Sequence, residues 1–231
     1  MLAIAVGAGL VSTAGAERAK VLGKSKTTPR PNCSGDSPDE CQITGQVTGF
    51  QRAINGDANK FKAPAAGRIV AWSIDLAKPS KDERNIFGEA AKTNEFGTSP
   101  TAGVGILRKT GKSEFKLLRA SPILEVQRYY GSRPIFTLEH SLRVRKGDIV
   151  ALTTATWLPA FSIKHQGPDD VWVASRVKKN CEIPASVPAE DRLAYFFAHT
   201  RPHRDVGSTR KYQCAYDSAR ILYWAYFSPR D

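Results

Sequence analysis

The first feature missing from this sequence is a long apolar run. Beyond the first sixteen residues no segment is apolar enough to cross a bilayer, since a spanning helix needs about 20 apolar residues. The sequence also lacks a stretch in which apolar residues recur with the helical period of about 3.6 residues. The first absence argues against a protein with several membrane helices, and the second argues against a helical bundle.

The familiar catalytic motifs are missing as well. There is no G-x-S-x-G, no H-E-x-x-H and no G-x-x-x-x-G-K-[ST], so the chain carries no local signal of a serine hydrolase, a zinc protease or a phosphate-binding loop. His199 and His203 are four residues apart, but Pro202 between them prevents a regular helix from presenting both on one face. Solvated loop histidines are the preferred interpretation and a metal site is the alternative. No catalytic residue is assigned.

Acidic residues are scarce relative to basic ones. Lysine and arginine number 34 against 22 aspartate and glutamate residues, which gives a formal net charge of +12. A surface of this sign attracts polyanions such as nucleic acid, acidic glycans and envelope polymers in a salt-dependent way. Many basic exported proteins have no specific partner, so the charge alone selects none, and no specific binding of nucleic acid is predicted.

Cysteines are few, at positions 33, 41, 181 and 214. An even number behind a signal-like segment indicates disulfide bonds. Four cysteines allow three pairings, which the sequence leaves open, although proximity along the chain favours Cys33–Cys41 and Cys181–Cys214. Zinc is the alternative, but neither spacing fits the usual C-x₂₋₄-C pair.

The N-terminus does contain one apolar and uncharged segment, residues 1–16, which ends in Ala14-Gly15-Ala16. Small residues in this arrangement are typical of a signal-peptidase site, so we predict a signal peptide and a secreted, extracellular or cell-envelope protein. The usual basic start is absent, which leaves open a truncated start or an ordinary hydrophobic N-terminus. The segment is too short for a membrane anchor, so no transmembrane anchor is expected after cleavage.

Residues 17–42 are polar and contain almost no large apolar side chain. Such a segment buries too little surface to fold alone, so we predict a flexible N-terminal segment followed by a single β-sandwich domain over residues 43–231. Residues 77–102 are expected to form a long connection with only a short helical turn near 88–92. Residues 188–198 are expected to form a helical turn and then a strand.

The strand pattern is clearest in residues 138–161, LEHSLRVRKGDIVALTTATWLPAF. They predict a strand, a turn at Lys146-Gly147-Asp148, a second strand and a loop that carries Trp157, because side chains alternate with a period of two. Residues 68–76 alternate in the same way. Short strands separated by glycine and proline predict an all-β protein, an antiparallel β-sandwich of two sheets with little helix.

Motifs from Phe61 to Phe161 also carry a resemblance. They are a P-x-x-G-x-hydrophobic-x-x-W strand in FKAPAAGRIVAWSI, then VGILRK, then LRVRKGDIVALTTATWLPAF. In this order they resemble a group of uncharacterised exported proteins of actinobacterial type, and jelly-roll sandwiches that serve as carbohydrate-binding or adhesion modules. The resemblance implies a jelly-roll-like architecture and supplies no catalytic residue.

Aromatic side chains in loops are the candidate ligand contacts. Trp157 is predicted to follow a strand into a loop, where its ring would form a stacking platform for a sugar. Tyr129 and Tyr130 precede Gly131 in another predicted loop. The alternative interpretation is that Trp157 closes one open end of the sandwich.

Asn55, Asp57 and Asn59 place three oxygen-bearing side chains at alternate positions, a spacing that a calcium loop uses. The later glutamate of such a loop is absent. A plain turn is therefore the preferred interpretation, calcium is the alternative, and no other cofactor is expected.

The preferred hypothesis from the sequence is an exported, non-catalytic module that binds an extracellular glycan or an anionic envelope polymer. One alternative is a secreted hydrolase or lyase acting on a polysaccharide with a pair of loop carboxylates. The candidates for such a pair are Glu89, Glu95, Glu125 and Glu139. A second alternative is a structural or protein-interaction role, which an exposed apolar strand edge would support.

Overall fold

The computed structural model describes residues 19–31, 41, 43–92, 94–163 and 169–230. Strands hold 44% of the chain and helices 14%, which confirms the all-β prediction. In chain order the strands are β1 (Lys20–Leu22), β2 (Thr44–Ile54), β3 (Asp57–Ala58), β4 (Gly67–Ile74), β5 (Thr101–Lys109), β6 (Glu114–Ala120), β7 (Leu124–Glu125), β8 (Ile135–Val144), β9 (Ile149–Leu158), β10 (Phe161–Ile163), β11 (Val171–Ala174), β12 (Thr209–Lys211), β13 (Cys214–Asp217), β14 (Ala219–Ile221) and β15 (Tyr223–Pro229). The helices are α1 (Lys81–Ala91) and α2 (Arg192–His199), with short 3₁₀ turns at Gln127–Tyr129, Lys178–Asn180 and Ala189–Asp191.

The described strands pair in an antiparallel manner throughout. One sheet has four strands in the order β1-β15-β4-β8. The larger sheet has nine strands, in the order β12-β6-β5-β9-β2-β11-β13 with β3 beside β2 and β7 beside β5. Strands β10 and β14 form a small third sheet. The two larger sheets share one apolar core, as expected of a sandwich.

The core joins the four-stranded sheet to the nine-stranded sheet. Trp72 of β4, Tyr223 of β15 and Val150 of β9 belong to one buried cluster, and the Tyr223 hydroxyl donates a hydrogen bond of 2.9 Å to the Val150 carbonyl. The alternation expected over residues 68–76 is shifted in β4, because a bulge follows Ile69. As a result Ile69 is fully buried and Val70 is only half-buried.

The nine-stranded sheet curls. Its two outer strands, β12 and β13, are consecutive in the chain, and only Tyr212 and Gln213 connect them. The right-handed twist that accumulates across many strands accounts for such curling. The ring of Tyr212 lies 5.1 Å from that of Phe115 and 6.1 Å from that of Phe50, centroid to centroid. Phe50 and Phe115 are themselves 5.3 Å apart. Three segments remote in sequence therefore meet in one aromatic cluster.

Helix α1 corrects the expectation of a long connection over residues 77–102 with only a short helical turn near 88–92. It begins with a capping box, in which the Glu83 N–H donates to Ser80 Oγ (3.2 Å) and the Ser80 N–H donates to Glu83 Oε2 (2.5 Å). Together with α2 it packs near the end of β9, over Trp157. A second buried cluster results, formed by Cys41, Ala77, Phe87, Ala91, Trp157 and Phe197.

Helix α2 corrects the expectation of a turn and a strand over residues 188–198. The alternation of Leu193, Tyr195 and Phe197 was misleading, because Phe196 is also apolar. Leu193, Phe196 and Phe197 have the spacing of three and four residues that places side chains on one helical face, and all three pack in the second cluster.

The flexible segment predicted for residues 17–42 is wrong in part. Strand β1 pairs with β15, and its last residue, Leu22, is buried in the main core. The following turn is held by Arg220, whose Nη1 donates to the Thr27 carbonyl (2.9 Å) and to Ser25 Oγ (3.3 Å). The folded domain therefore extends N-terminally beyond its predicted start.

The predicted bond between Cys181 and Cys214 is present, with the two Cα atoms 5.1 Å apart. Cys33 lies outside the described residues, so its pairing with Cys41 stays a prediction, as does the signal peptide at residues 1–16. Among the described cysteines none is free. A disulfide bond is compatible with an oxidising extracellular compartment. Within the described ranges no helix has the length and apolarity needed to span a membrane.

Candidate functional site

Trp157 does not form the predicted stacking platform. It lies within β9, its side chain is only 1% exposed, and its indole N–H donates a hydrogen bond of 2.7 Å to the Thr98 carbonyl. Its ring packs against Phe87 of α1 at a centroid distance of 5.2 Å. The alternative interpretation, in which Trp157 closes one end of the sandwich, agrees with this covered position, and a sugar has no access to the ring.

Tyr129 and Tyr130 are both half-buried, but they belong to different clusters. The Tyr129 ring meets Phe136 edge to face at 5.2 Å and packs on the main core. The Tyr130 ring lies 6.3 Å from that of Trp157 in the second cluster, and burial raises the pKa of its hydroxyl. The three predicted ligand contacts therefore do not share one exposed face.

Two of the three proposed calcium side chains are engaged with cations of the protein. The Asn55 Oδ1 accepts a hydrogen bond of 2.6 Å from Arg220 Nη2. The Asp57 carboxylate forms an ion pair of 2.9 Å with Lys60, whose hydrogen bond and charge lower the Asp57 pKa. Asn59 has a φ of 71°, in the left-handed region that turns use. These contacts support the turn interpretation.

The four candidate loop carboxylates lie on different elements. Glu95 forms an ion pair of 2.6 Å with Arg204, and Glu89 pairs with Lys92 on α1. Glu95 and Glu125 line different pockets. Glu139 lies on β8. A glycosidase needs two carboxyl groups facing one substrate site, and Glu95 and Glu125 do not share a pocket.

A pocket of about 720 Å³ opens where the β5–β6 turn, the β8–β9 turn and the β12–β13 connection meet. We call it the basic groove. None of its lining residues is acidic, whereas five carry a positive charge. These five are Arg52, Lys62, Lys109, Lys112 and Lys178.

The floor of the basic groove is apolar. It includes Phe50, Phe115 and Tyr212, whose side chains are only 3–6% exposed, together with Phe61. The Phe61 ring is stacked on Tyr223 at 4.1 Å. Because these rings are engaged with one another and with the core, they offer little free face to a ligand. The cations at the rim are therefore the groups able to select one.

Two strands and one turn position three of the cations. Arg52 follows Phe50 by two residues on β2, and both line the basic groove. Lys109 is the last residue of β5, and Lys112 lies in the β5–β6 turn, which is closed by the Thr110 N–H donating to the Glu114 carbonyl at 2.9 Å. Strands β5 and β6 pair on either side of this turn as an antiparallel hairpin.

The remaining two cations lie on irregular segments that backbone contacts hold in place. Lys62 follows Phe61, whose carbonyl accepts a hydrogen bond of 3.0 Å from the Val150 N–H of β9. The Lys178 N–H donates to Gln213 Oε1 at 3.1 Å. The nearby disulfide bond ties the segment after Lys178 to β13.

The charge of the basic groove is not neutralised by neighbours. All five cations are exposed, and none forms an ion pair with a described carboxylate. Arg108, next to Lys109, behaves differently, because Asp148 lies 2.8 Å away and its hydrogen bond raises the Arg108 pKa. A cleft lined by charges of one sign concentrates its field and attracts ligands of the opposite sign.

His203 lies beneath the groove floor and is fully buried, which corrects the prediction of a solvated loop histidine. Its Nε2 is 3.2 Å from the Ser208 carbonyl, an acceptor only, so the proton lies on Nε2 and Nδ1 accepts from the Tyr212 hydroxyl at 3.0 Å. Burial, and then the charge of Arg210, lower the His203 pKa. The Ser208 hydroxyl, whose oxygen lies 2.9 Å from His203 Nε2, donates to the Asp205 carbonyl at 2.7 Å.

Comparisons with known proteins leave this chain unassigned to a family. No protein-family model, curated protein or solved structure matches it. Its function must therefore be inferred from the chemistry of the basic groove.

The sequence analysis identified an excess of positive charge. It did not predict that these five cations lie together. The sequence does contain one local signal, because Thr110-Gly111-Lys112, directly after Lys109, is typical of a hairpin turn. The other cations are remote in sequence, and only the curl of the sheet brings them to one rim.

Proposed function

We propose that this protein is an exported, non-catalytic binding module whose basic groove holds a segment of an anionic extracellular or cell-envelope glycan. The observation that carries the proposal is the rim of five exposed cations without an acidic residue among the lining groups. A chain of regularly spaced carboxylates or other anionic groups complements such a rim.

Export is the part of the proposal that the N-terminal pattern supports. Residues 1–16 are uncharged and end in small residues, as a signal peptide does. The disulfide bond between Cys181 and Cys214 is compatible with that destination. In the extracellular space and the cell envelope, glycans are the abundant polymers that carry repeated negative charge.

An anionic glycan fits the basic groove better than a neutral one. Neutral sugars are held mainly by stacking on exposed aromatic faces, and the rings of the groove floor are nearly buried. Exposed lysine and arginine side chains instead attract anionic groups, each with a modest and salt-sensitive contribution. The resemblance to carbohydrate-binding jelly-roll modules also supports a glycan ligand.

Polygalacturonate and its fully methyl-esterified form test the proposal, since the two polymers share a sugar backbone and differ in charge. We expect polygalacturonate to bind, with an affinity that falls as salt rises, and the ester to bind at least tenfold more weakly. The double variant Lys109→Gln/Lys112→Gln should lose about tenfold in affinity for polygalacturonate, because two exposed charge contacts are removed.

The double variant Lys78→Gln/Lys116→Gln provides a matched control, because both lysines are exposed and neither lines the groove. Lys116 is next to Phe115 on β6 and therefore points away from the groove floor. Equal losses of polygalacturonate affinity in the two double variants would show that only the net charge of the protein attracts the polymer. Equal binding of the methyl ester would indicate a neutral-sugar ligand, and tighter binding of duplex DNA of similar length would indicate nucleic acid.

A further inference from the structure

Arg176 is a buried cation to which the described residues supply no counter-ion. It follows β11, its side chain is 8% exposed, and its guanidinium carbon lies 4.3 Å from the centre of the Phe196 ring. Nη1 donates to the Tyr216 hydroxyl at 3.0 Å, whereas Nε has no hydrogen-bond partner. No described carboxylate forms an ion pair with it.

Two other arginines of the chain form paired hydrogen bonds to a carboxylate, which Arg176 does not form with any described residue. Arg220 donates from Nε and Nη2 to the two oxygens of Asp170, both at 2.8 Å. Arg108 uses the same pair of nitrogens on Asp148, at 2.8 and 2.9 Å. Two parallel N–H bonds to one carboxylate are the strongest form of such a pair. In Arg176 the edge formed by Nε and Nη2 makes no hydrogen bond to the described residues.

An unpaired guanidinium is unfavourable in a buried place. Burial lowers the Arg176 pKa and the Tyr216 oxygen partly restores it, yet an arginine side chain keeps its proton in proteins. The positive charge therefore remains, and it lacks the full set of acceptors that buried charges ordinarily have. An anion from outside the chain would complete that set.

Arg176 forms part of the wall of a pocket of about 380 Å³. The pocket is mostly apolar, with walls that include Ile183, Tyr195 and Phe196, and Arg192 lies at its exposed rim. Glu182 also lies at the rim, but it is not within ion-pair distance of Arg176. A pocket with apolar walls and one convergent charged group is the usual form of a small-molecule site.

We infer that this pocket binds a small carboxylate with an apolar body, held through Arg176. A carboxylate has two oxygens at the spacing of the Nε and Nη2 groups, and an apolar body suits the walls. Phosphate is more strongly hydrated than a carboxylate, so the mostly apolar walls favour the carboxylate. Because Nε is out of contact with water, the paired arrangement requires the guanidinium to shift slightly toward the pocket.

The disulfide bond helps to hold Arg176 in position. The Tyr216 hydroxyl, which accepts from Arg176, donates to the Cys181 carbonyl at 2.7 Å. The Tyr216 ring is stacked on Trp172 at 4.9 Å. Cys181 is fixed in turn by its bond to Cys214. This site shares no lining residue with the basic groove, so it is independent of the function proposed for the groove.

Titration of the whole protein with benzoate, benzamide and inorganic phosphate tests the inference. Benzoate and benzamide have nearly the same shape and differ in charge. We expect benzoate to bind at least tenfold more tightly than benzamide or phosphate. In the wild-type protein labelled with ¹⁵N, benzoate should move the side-chain Nε resonance of Arg176, and benzamide should not.

Arg176→Met is the decisive variant, since methionine fills similar space without a charge. We expect at least a tenfold loss of benzoate affinity together with an unchanged or higher midpoint of thermal unfolding, because an unpaired buried charge is removed. Arg192→Met is the matched control at the exposed rim and should lose less than threefold. Lys109→Gln/Lys112→Gln should leave benzoate affinity unchanged, which separates this site from the basic groove.

Several results would overturn the inference. Unchanged benzoate affinity in Arg176→Met, or equal affinity for benzamide in the wild type, would show that the charge of Arg176 does not contribute to binding. Equal affinity for phosphate would remove the preference for a carboxylate. Binding that emerges only in Glu182→Gln would make Glu182 the native counter-ion. If Arg176→Met does not fold, the wild type provides the test. An Arg176 Nε resonance that does not shift when benzoate is added would overturn the inference.

Discussion

The Tyr212 hydroxyl lies 3.0 Å from Nδ1 of His203, and this hydrogen bond joins the floor of the basic groove to the buried polar groups beneath it. Burial raises the pKa of Tyr212 and lowers that of His203, so both side chains are held in their neutral forms. The pair thus anchors the connection between the two outer strands of the curled sheet without introducing a buried charge.

Acidification should destabilise the fold through His203. The unfolded chain takes up a proton at this residue below about pH 6.5, while the folded chain, with its lowered pKa, does not until the pH is lower. Stability due to neutral His203 is therefore complete above about pH 6.5 and is lost as the pH falls toward the folded pKa. Thermal unfolding of the wild type and of His203→Gln at pH 7.5 and 5.5 measures the effect.

We expect the unfolding midpoint of the wild type to fall more between these two pH values than that of His203→Gln, although the variant starts from a lower stability. Arg210 and Asp205 are the charged groups that act on this histidine. His140→Gln, at an exposed position on β8, is the control, and its unfolding midpoint should fall as much as that of the wild type. An equal fall in the unfolding midpoint of the wild type and of His203→Gln would contradict the role of His203 in acid destabilisation.

The bond between Cys181 and Cys214 should contribute substantially to stability. It closes a loop with a sequence separation of 33, for which the chain-entropy relation gives roughly 3–4 kcal/mol. We expect Cys181→Ser/Cys214→Ser to reduce the free energy of unfolding in urea by about that amount. A reduction of less than about 1 kcal/mol would mean that residual structure in the unfolded chain replaces the constraint.

Trp157 should act on stability and not on glycan binding. Its ring is buried under α1, so Trp157→Ala should reduce the free energy of unfolding by about 3–5 kcal/mol. The affinity of the folded variant for polygalacturonate should match that of the wild type, because Trp157 does not line the basic groove. Lost affinity with unchanged stability would restore the stacking-platform hypothesis.

The ion pair of Arg220 and Asp170 is buried on both sides, so breaking it should be strongly destabilising. Asp170→Asn leaves the Arg220 charge without its counter-ion and should reduce the free energy of unfolding by about 3–5 kcal/mol. Glu95→Gln breaks the exposed pair with Arg204 and should change it by less than about 1 kcal/mol. Urea unfolding compares the two, and similar small effects would show that Arg220 finds other acceptors in the variant.

The hairpin of β8 and β9 illustrates how much of the fold a local sequence pattern can predict. Residues 138–161 predict two strands and a turn, and the structure has β8, β9 and a turn in which Gly147 adopts a φ of 88°. The prediction failed at Trp157, because nothing in the flanking residues reveals that α1 covers the end of β9. The capping box at Ser80 and Glu83 was a readable signal for that helix.

The candidate sites were less accessible to sequence reasoning than the strands. The cations of the basic groove and the pocket of Arg176 are each assembled from segments far apart in the chain. Arg176 lies within a run of basic residues, Arg176, Lys178 and Lys179, in which solvent exposure is the ordinary expectation. Its burial between Phe196 and Tyr216 depends on α2 and β13 packing around it.

The amino-acid sequence by itself determined the local elements: strands from the alternation of side chains, tight turns at glycine, and the excess of positive charge. Only the tertiary structure decided which strands are neighbours, which cations share a rim and which ring is covered. The reason is that alternation and turn preference act between residues a few positions apart, whereas β2 pairs with β9 and β11 from more than a hundred residues away. Such pairing depends on the register and twist of the whole sheet, which no single segment encodes.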